Sequence, residues 1–579
     1  MTDNRNMILA IALSALVLIG WTLFSDRFLP APPPAARTVA AAPAGSPASP
    51  APVVPGVTPA IPVPGTSAGP LRPAELVVGE SPRIQIETPR LAGTINLKGA
   101  RIDDLVFKTY RETIRRDAPA VRLFAPSGAP RAYFAQFGWT GAGAPAPDAL
   151  WTATGTLTPR TPVVLTTTGP TGAVFEIKLS VDDQWLFTAQ QTVRNTGTTP
   201  LTVQPFGLVS HLGEGLEPAT FQLHNGPIGV YNDRLVDTDV TYEKLREAGQ
   251  IAATTTGGWL GIGEKYWLAA LIPDQSKPQA FRFASTTGDR FQTDFLSGAV
   301  AVAPGAAATV TNRLFAGAKE VEALNHYRDT LGVPLLDRSI DWGWFRVIAQ
   351  PIYMVLHWLF GLTGNFGVAI IGLTLIIRTL MFPLANKQYA SMAKMRIVAP
   401  RLKELQTRYK DDKPKLQTEM MELYKREKVN PVAGCLPILV QIPVFYALYK
   451  TLLISTEMRH QPFVLWIRDL SAPDPVTPLN LFGLIDWTPP HIIALGVLPI
   501  LLGITMWLQQ KLSPQVMDPV QRQVFAVMPW VFMFIMAPFA AGLQLYWTVN
   551  NCVSILQQWL MLRRYPMPAE PTPAPLAKT

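Results

Sequence analysis

Residues 366–384, 434–455, 491–508, 524–540 and 542–562 are apolar stretches, each close to the roughly twenty residues a helix needs to cross a bilayer core. Crowded into one end of the chain, they leave little choice but a bundle of spanning helices, because helices and closed barrels alone satisfy their backbone polar groups in lipid. None of the five contains Asp or Glu. One contains an arginine: Arg378 interrupts "AIIGLTLIIRTLMFPLANKQ", residues 369–388. A guanidinium in mid-span costs about 2.5–3.5 kcal/mol on insertion scales. Lys387 follows nine residues later, so Arg378 lies about 13 Å from the polar end of its helix. That is too deep for comfortable snorkelling, and the side chain must face protein or water.

The remainder of the chain divides by pattern. With 48% hydrophobic and 16% charged residues over 579 positions, the composition is that of a membrane protein carrying a large water-exposed part. Residues 7–24 carry no charge and make 1–29 an uncleaved signal anchor, a sixth span. Residues 30–75 are Pro/Ala-rich and predict an extended tether. From 76 to 325, segments such as "RIQIET", "GTINLKG" and "AVFEIKLSV" alternate apolar and polar residues, predicting a large all-β domain, a sandwich able to bury its own core. Residues 337–365 hold Trp342, Trp344 and Trp358 at helical spacings and predict an amphipathic helix at a membrane interface.

Orientation follows from charge. Residues 385–430 hold twelve Lys/Arg against six acids, a balance of +6, whereas 456–490 hold two against four, a balance of −2. The positive-inside rule puts the first loop, the 511–523 loop, the 563–579 tail and both termini in the cytoplasm, and the β-domain in the periplasm. The net charge of +9 is then a matter of topology, and no nucleic-acid partner is called for. Six scattered histidines offer no helical metal pair, Cys435 and Cys552 sit in apolar segments, and no phosphate-binding loop is present. The expectation is a protein with no metal, no cofactor and no enzymatic chemistry.

The cytoplasmic loop reads as two helices, 386–409 and 414–428, broken at "DDKP", with Pro414 in the first turn of the second. Met392, Met395, Met420 and Met421 join Leu402, Leu405, Leu416 and Leu423 there, an adaptable surface for apolar partners, although the same residues suit a hairpin packed on itself. In the membrane, Thr374 points the same way as Arg378 at i, i−4. Gln441, Gln544, Trp547, Thr548, Asn550 and Asn551 offer matching polarity on other helices. Without an acid in the spans, the arrangement expected around Arg378 is a hydrated, polar-lined groove that attracts acidic or polar stretches of another polypeptide.

The motifs "IIRTLMFPL", "KQYASMAKM", "EMMELYKREKVNPVAGCLPILVQIPVFYALY", "PFVLWIRDLSAPDP" and "GLQLYWTVNN" closely resemble the YidC membrane protein insertases, the family shared with relatives in mitochondria and chloroplasts. The resemblance spans about 340–565, and the anchor, tether and β-domain resemble the long Gram-negative form. It implies six spans with a five-helix insertase core and a periplasmic supersandwich similar to sugar-binding folds. It also implies a cytoplasm-open hydrophilic groove whose charge is Arg378, with Thr374 one turn above, and a greasy slide containing Phe445, Tyr546 and Trp547. The implied partners are nascent membrane proteins received by the cytoplasmic hairpin, the Sec translocon, and membrane lipids. Ribosome or signal recognition components are further candidate partners, although the short, barely basic tail does not show the ribosome-tethering form of some relatives. Trp547 stands where some members carry tyrosine.

Two other readings compete. A small-anion transporter or channel could use Arg378, but lacks intramembrane acids and an internal repeat. An envelope scaffold built on the β-domain predicts that removing 76–325 abolishes function.

Overall fold

The computed structural model describes residues 70–214, 223–286, 289–409, 412–427, 436–483, 485, 495–512 and 519–564. The expected anchor, nearly all of the tether and most of the tail lie outside the described residues.

Among the described residues, strands from Arg83 to Ala318 form two sheets, one of eleven strands and one of eight. Local pattern dictates much of this. In Val174–Val181, Phe175, Ile177, Leu179 and Val181 are buried in turn, and the antiparallel neighbour Leu186–Arg194 buries Phe187, Ala189, Gln191 and Val193, as a strand with one face on a core must. Bonds between the sheets fix their stacking: the Tyr133 hydroxyl donates to the Ile262 carbonyl at 3.0 Å, and Gln191 Nε2 to the Gly138 carbonyl at 2.7 Å. Trp259–Gly263 and Trp267–Ile272 are buried on both faces, which is why they read as unbroken apolar runs. At Gly317 a Cβ would drive into the Trp185 ring, so close packing demands glycine there.

The last strand ends at Ala318, and the expected domain limit near 325 falls inside helix α1, Val321–Leu331. Gly332, at φ 63°, ends that helix in the left-handed region. The helical part follows as α2 (Arg346–Thr363), α3 (Phe366–Arg408), α4 (Lys413–Arg426), α5 (Leu436–Ile454), α6 (Val497–Leu512), α7 (Pro519–Met536) and α8 (Ala541–Arg564).

Several boundaries differ from expectation. The interfacial helix of 337–365 begins only at Arg346. Ahead of it, Asp341 Oδ1 accepts from the Gly343 N–H at 3.0 Å and Gly343 sits at φ 67°, a turn that stops helix propagation. Trp342 is buried edge-on to Tyr353, while Trp344, Val347 and Trp358 stay exposed. The span expected at 366–384 and the cytoplasmic helix expected from 386 are one helix. Helix α3 runs continuously through Pro383 and Pro400; each proline removes one backbone donor without ending the helix. The predicted break at "DDKP" does occur: Asp412 caps α4 by accepting from the Lys415 N–H at 3.1 Å. The span expected from 491 begins as a helix at Val497, and that expected from 524 begins at Pro519. By length and composition, one stretch among the described residues is long and apolar enough to cross a membrane, Phe366–Gln388. Val440–Ile454, Val497–Leu512 and Gln523–Met536 are apolar but shorter.

Candidate functional site

Helix α3 starts from a well-made cap. Asn365 Oδ1 accepts from the Gly367 and Val368 N–H groups at 2.9 and 3.2 Å, and its amide donates to the Phe463 carbonyl at 3.1 Å. Two turns on, Thr374 is buried and returns its hydroxyl to the Ile370 carbonyl at 2.7 Å. Arg378, one further turn along, reaches α8: Nε donates to Asn550 Oδ1 at 2.7 Å and Nη2 lies 3.5 Å from the Asn550 carbonyl. That carbonyl also accepts from Ser554 Oγ at 2.7 Å.

More polar pairs join the helices. Gln441 of α5 donates to the Tyr546 hydroxyl at 2.8 Å, and Asn551 of α8 donates to Thr505 Oγ1 of α6 at 3.2 Å. Beside them stands an aromatic row. Trp547 packs against Phe445 at 5.0 Å and Phe532 at 5.3 Å between ring centroids. Tyr546 is fully buried, so its ring is a wall of the helix packing while Phe445 and Trp547 remain partly accessible.

Gln544 has a different part from the groove-lining one expected of it. It is fully buried, and its amide donates to the carbonyls of Met536, Ala537 and Phe539 at 2.9, 3.2 and 2.7 Å. Those carbonyls belong to the end of α7 and the turn into α8, where helix geometry leaves acceptors unpaired. On the hairpin of α3 and α4, expected in the cytoplasm, Leu402 and Leu423 are buried together with Val398, and Leu405, Met420 and Tyr424 pack against them, so the hairpin closes on itself. Met421 remains exposed; the side chains of Met392 and Met395 lie outside those described.

Sequence reasoning missed two features at the base of the β-domain. Lys450, near the end of α5, is buried and donates to Asp341 Oδ2 at 2.8 Å; a lysine at the end of an apolar run had no visible need of a partner 109 positions away. The segment after α5 also binds helix ends. The Leu470 and Ala472 carbonyls accept from the Gly542 and Ala541 N–H groups at 2.9 and 2.7 Å, and Asp474 accepts from the Leu498 N–H at 2.8 Å. Burial pushes the Asp474 carboxyl above its ordinary range, while hydrogen bonds from Leu498, Val476 and Trp466 pull the other way. Arg459 docks the same segment on the β-domain through the Arg111 carbonyl at 2.7 Å, with its guanidinium over the Tyr266 and Trp267 rings. Lys319, buried at the last strand's end, is pushed down to about 8 by desolvation, against the opposing pull of Asp341 and Glu264.

Among the described residues no group of three His, Cys, Asp or Glu side chains could hold a metal. What the helices assemble is a set of polar contacts between apolar helices, one of them made by a guanidinium, with partly open aromatic rings on α5 and α8.

Comparison with known proteins bears on this arrangement. Residues 83–355 match the family described as YidC periplasmic domain, and residues 358–568 the family described as 60Kd inner membrane protein. The membrane protein insertase YidC of Zymomonas mobilis is 44% identical over 577 residues, covering 98% of this chain and 96% of its own. That of Methylobacterium radiotolerans is 45% identical over 592 residues, covering 97% and 95%. Among solved structures, an active YidC insertase with its first transmembrane domain resolved is 16% identical and covers 83% of this chain and 95% of its own, with a TM-score of 0.36.

Proposed function

The chain belongs to the YidC family of membrane protein insertases, and we propose that it moves hydrophobic helices of newly made proteins into the membrane along the polar interior centred on Arg378. It is an inner membrane protein with a large periplasmic β-sandwich domain. The observation that carries the route is the Arg378–Asn550 contact: the arginine inside the most span-like helix is held by an amide of α8.

The energetics favour exchange. A neutral hydrogen bond contributes a net of about 1 kcal/mol, because its partners trade it against water. Polar groups of a client segment can therefore replace the Gln441–Tyr546 contact at small cost, and can replace the charge-assisted Arg378–Asn550 contact, worth about 1.5–3 kcal/mol, where they offer the guanidinium an acceptor of their own. The guanidinium attracts acidic or polar client segments over a longer range. The client's apolar helix meanwhile passes Phe445 and Trp547 and gains about 25 cal/mol for each Å² it buries in lipid. No nucleotide is required. The segment 456–477, bound to the ends of α6 and α8, closes the periplasmic side, so the path opens toward the cytoplasm. Loop charge supports six spans with cytoplasmic termini. The hairpin of α3 and α4 receives clients through Met421 and its neighbours, alone or with the Sec translocon as a partner.

Photo-crosslinking from positions 445 and 547 during synthesis of a single-span client tests the route. Crosslinks to the client helix are expected, weakened by Arg378→Ala and partly retained in Arg378→Lys, since charge counts for more here than the planar fork. Absence of crosslinks from either position in the unaltered protein would refute it.

A further inference from the structure

The sequence "DWGWF", residues 341–345, joins the β-domain to the helices, and Asp341, Gly343 and Phe345 each meet one face of α5. Asp341 uses both carboxylate oxygens: Oδ1 takes the Gly343 N–H at 3.0 Å, and Oδ2 takes Lys450 Nζ at 2.8 Å and the His224 backbone N–H at 3.2 Å. One side chain thus ties a helix to a loop of the β-domain. The charge of Asp341 also opposes the effect of burial on Lys319 at the end of the last strand. Gly343, at φ 67°, lets the backbone press onto α5. A Cβ there would stand 2.9 Å from the Tyr446 hydroxyl and 3.1 Å from Lys450 Cε. Tyr446 and Lys450 are one turn apart and share a face. Phe345 meets Tyr446 edge-on at 5.5 Å, and Thr451 Oγ1 donates to the Ala349 carbonyl at 3.2 Å.

The other side of α5 carries Gln441 and Phe445, the residues that meet Tyr546 and Trp547 of α8. We propose that residues 341–345 are a clamp that ties the periplasmic domain to α5 and sets the position of Gln441 and Phe445 opposite α8. Asp341, Gly343 and Lys450 are its positioning residues. The clamp's role in insertion rests on the reading that Gln441 and Phe445 face the client. Lys450 is suited to the task because a buried ammonium tolerates few arrangements: moving away from Asp341 strands it without its carboxylate. The pair therefore adds a directional constraint on the register of α5 to the non-directional pull of its apolar burial.

The test uses the full chain in lipid, in a Cys435→Ser, Cys552→Ser background. Spin labels are placed at Ile442→Cys on α5 and Leu556→Cys on α8, both exposed. Asp341→Asn is expected to shift or broaden the α5–α8 distance and to lower insertion of a single-span client about three- to tenfold. Asp341→Glu should restore part of both. Arg378→Ala should lower insertion with the distance unmoved, separating loss of the groove charge from loss of position. If Asp341→Asn does not accumulate, Gly343→Ala makes the same demand, since it leaves both charges in place and displaces the loop from Tyr446 and Lys450 through the added Cβ and the unfavourable φ. An unchanged distance overturns the clamp, and so does a shifted distance with full insertion. A shifted distance in a protein whose positions 445 and 547 never touch a client would count against the insertion route and leave the mechanical tie standing.

Discussion

The β-domain and the helical part bury polar groups in different proportions of charged and neutral contacts. The β-domain holds ion pairs in its interior: Arg83 pairs with Asp103 at 2.6 Å, both nearly closed to solvent, and Arg282 pairs with the buried Asp294 at 2.8 Å. Among α3, α5, α6 and α8, the contacts run from guanidinium to amide, amide to hydroxyl and amide to hydroxyl. The outer surfaces are inverted as well. Val347 is 86% and Leu380 76% exposed on the helices, whereas the sheets hide such residues. An exterior of this kind suits lipid, and the polar interior is the unusual part. The difference teaches that the two parts are held by bonds of different kinds, ion pairs within the β-domain and amide-based contacts between the helices, and the proposed client route needs the second kind.

The contrast can be broken first where the charges are strongest. Arg83→Met leaves Asp103 buried without its guanidinium, and removing one partner of such a pair costs about 3–5 kcal/mol. The β-domain should melt much earlier in a thermal scan of the full chain, with single-span insertion unchanged below that melt. Lys319 comes next. Its ammonium is pushed down to about 8 from an ordinary 10.5. Between those values the unfolded chain binds the proton that the folded one has lost, so stability rises with pH across the window, by about 3 kcal/mol. In Lys319→Met that rise should flatten when melting is compared from pH 8 to 10.5. A rise of equal size in both proteins would show that Lys319 does not carry it. Gln544→Leu removes the donor from three carbonyls at the α7–α8 turn and should cost about 2 kcal/mol. Client crosslinks from position 547 should persist in that variant, because Gln544 serves the turn and not the path.

How much of this was legible follows from distance along the chain. Alternation in "AVFEIKLSV" and the break at "DDKP" are local signals, and both gave the observed elements. Thr374 and Arg378 share a face by helix geometry alone. The bond of Arg378 to Asn550 spans 172 positions, and no spacing rule reports which of several polar residues on α8 an arginine will reach. Gln544 looked like Asn550 in the sequence because an amide that closes a turn and one that meets a guanidinium have the same composition. Asp341 and Lys450 hid for the reverse reason, each sitting at the edge of an apolar run where a charge is ordinary. The expected interfacial helix started too early because tryptophan spacing cannot tell a buried Trp342 from an exposed Trp344.

The finest separation of the two regions is at Tyr546. Its hydroxyl accepts from Gln441 at 2.8 Å within a ring that is fully buried, and Tyr546→Phe removes the acceptor while keeping the ring's packing. Because Gln441 is only partly buried and loses a neutral bond, the cost should be about 1 kcal/mol, far below that of Arg83→Met. Insertion should stay within about twofold of the unaltered protein, since a bond worth so little is one the client must displace in any case. A larger fall, with the melting temperature barely moved, would mean that the hydroxyl orients Gln441 for the client. The helical interior would then be preorganised like the β-domain's ion pairs, and the exchange argued for Arg378 and Asn550 would have to be confined to that one contact.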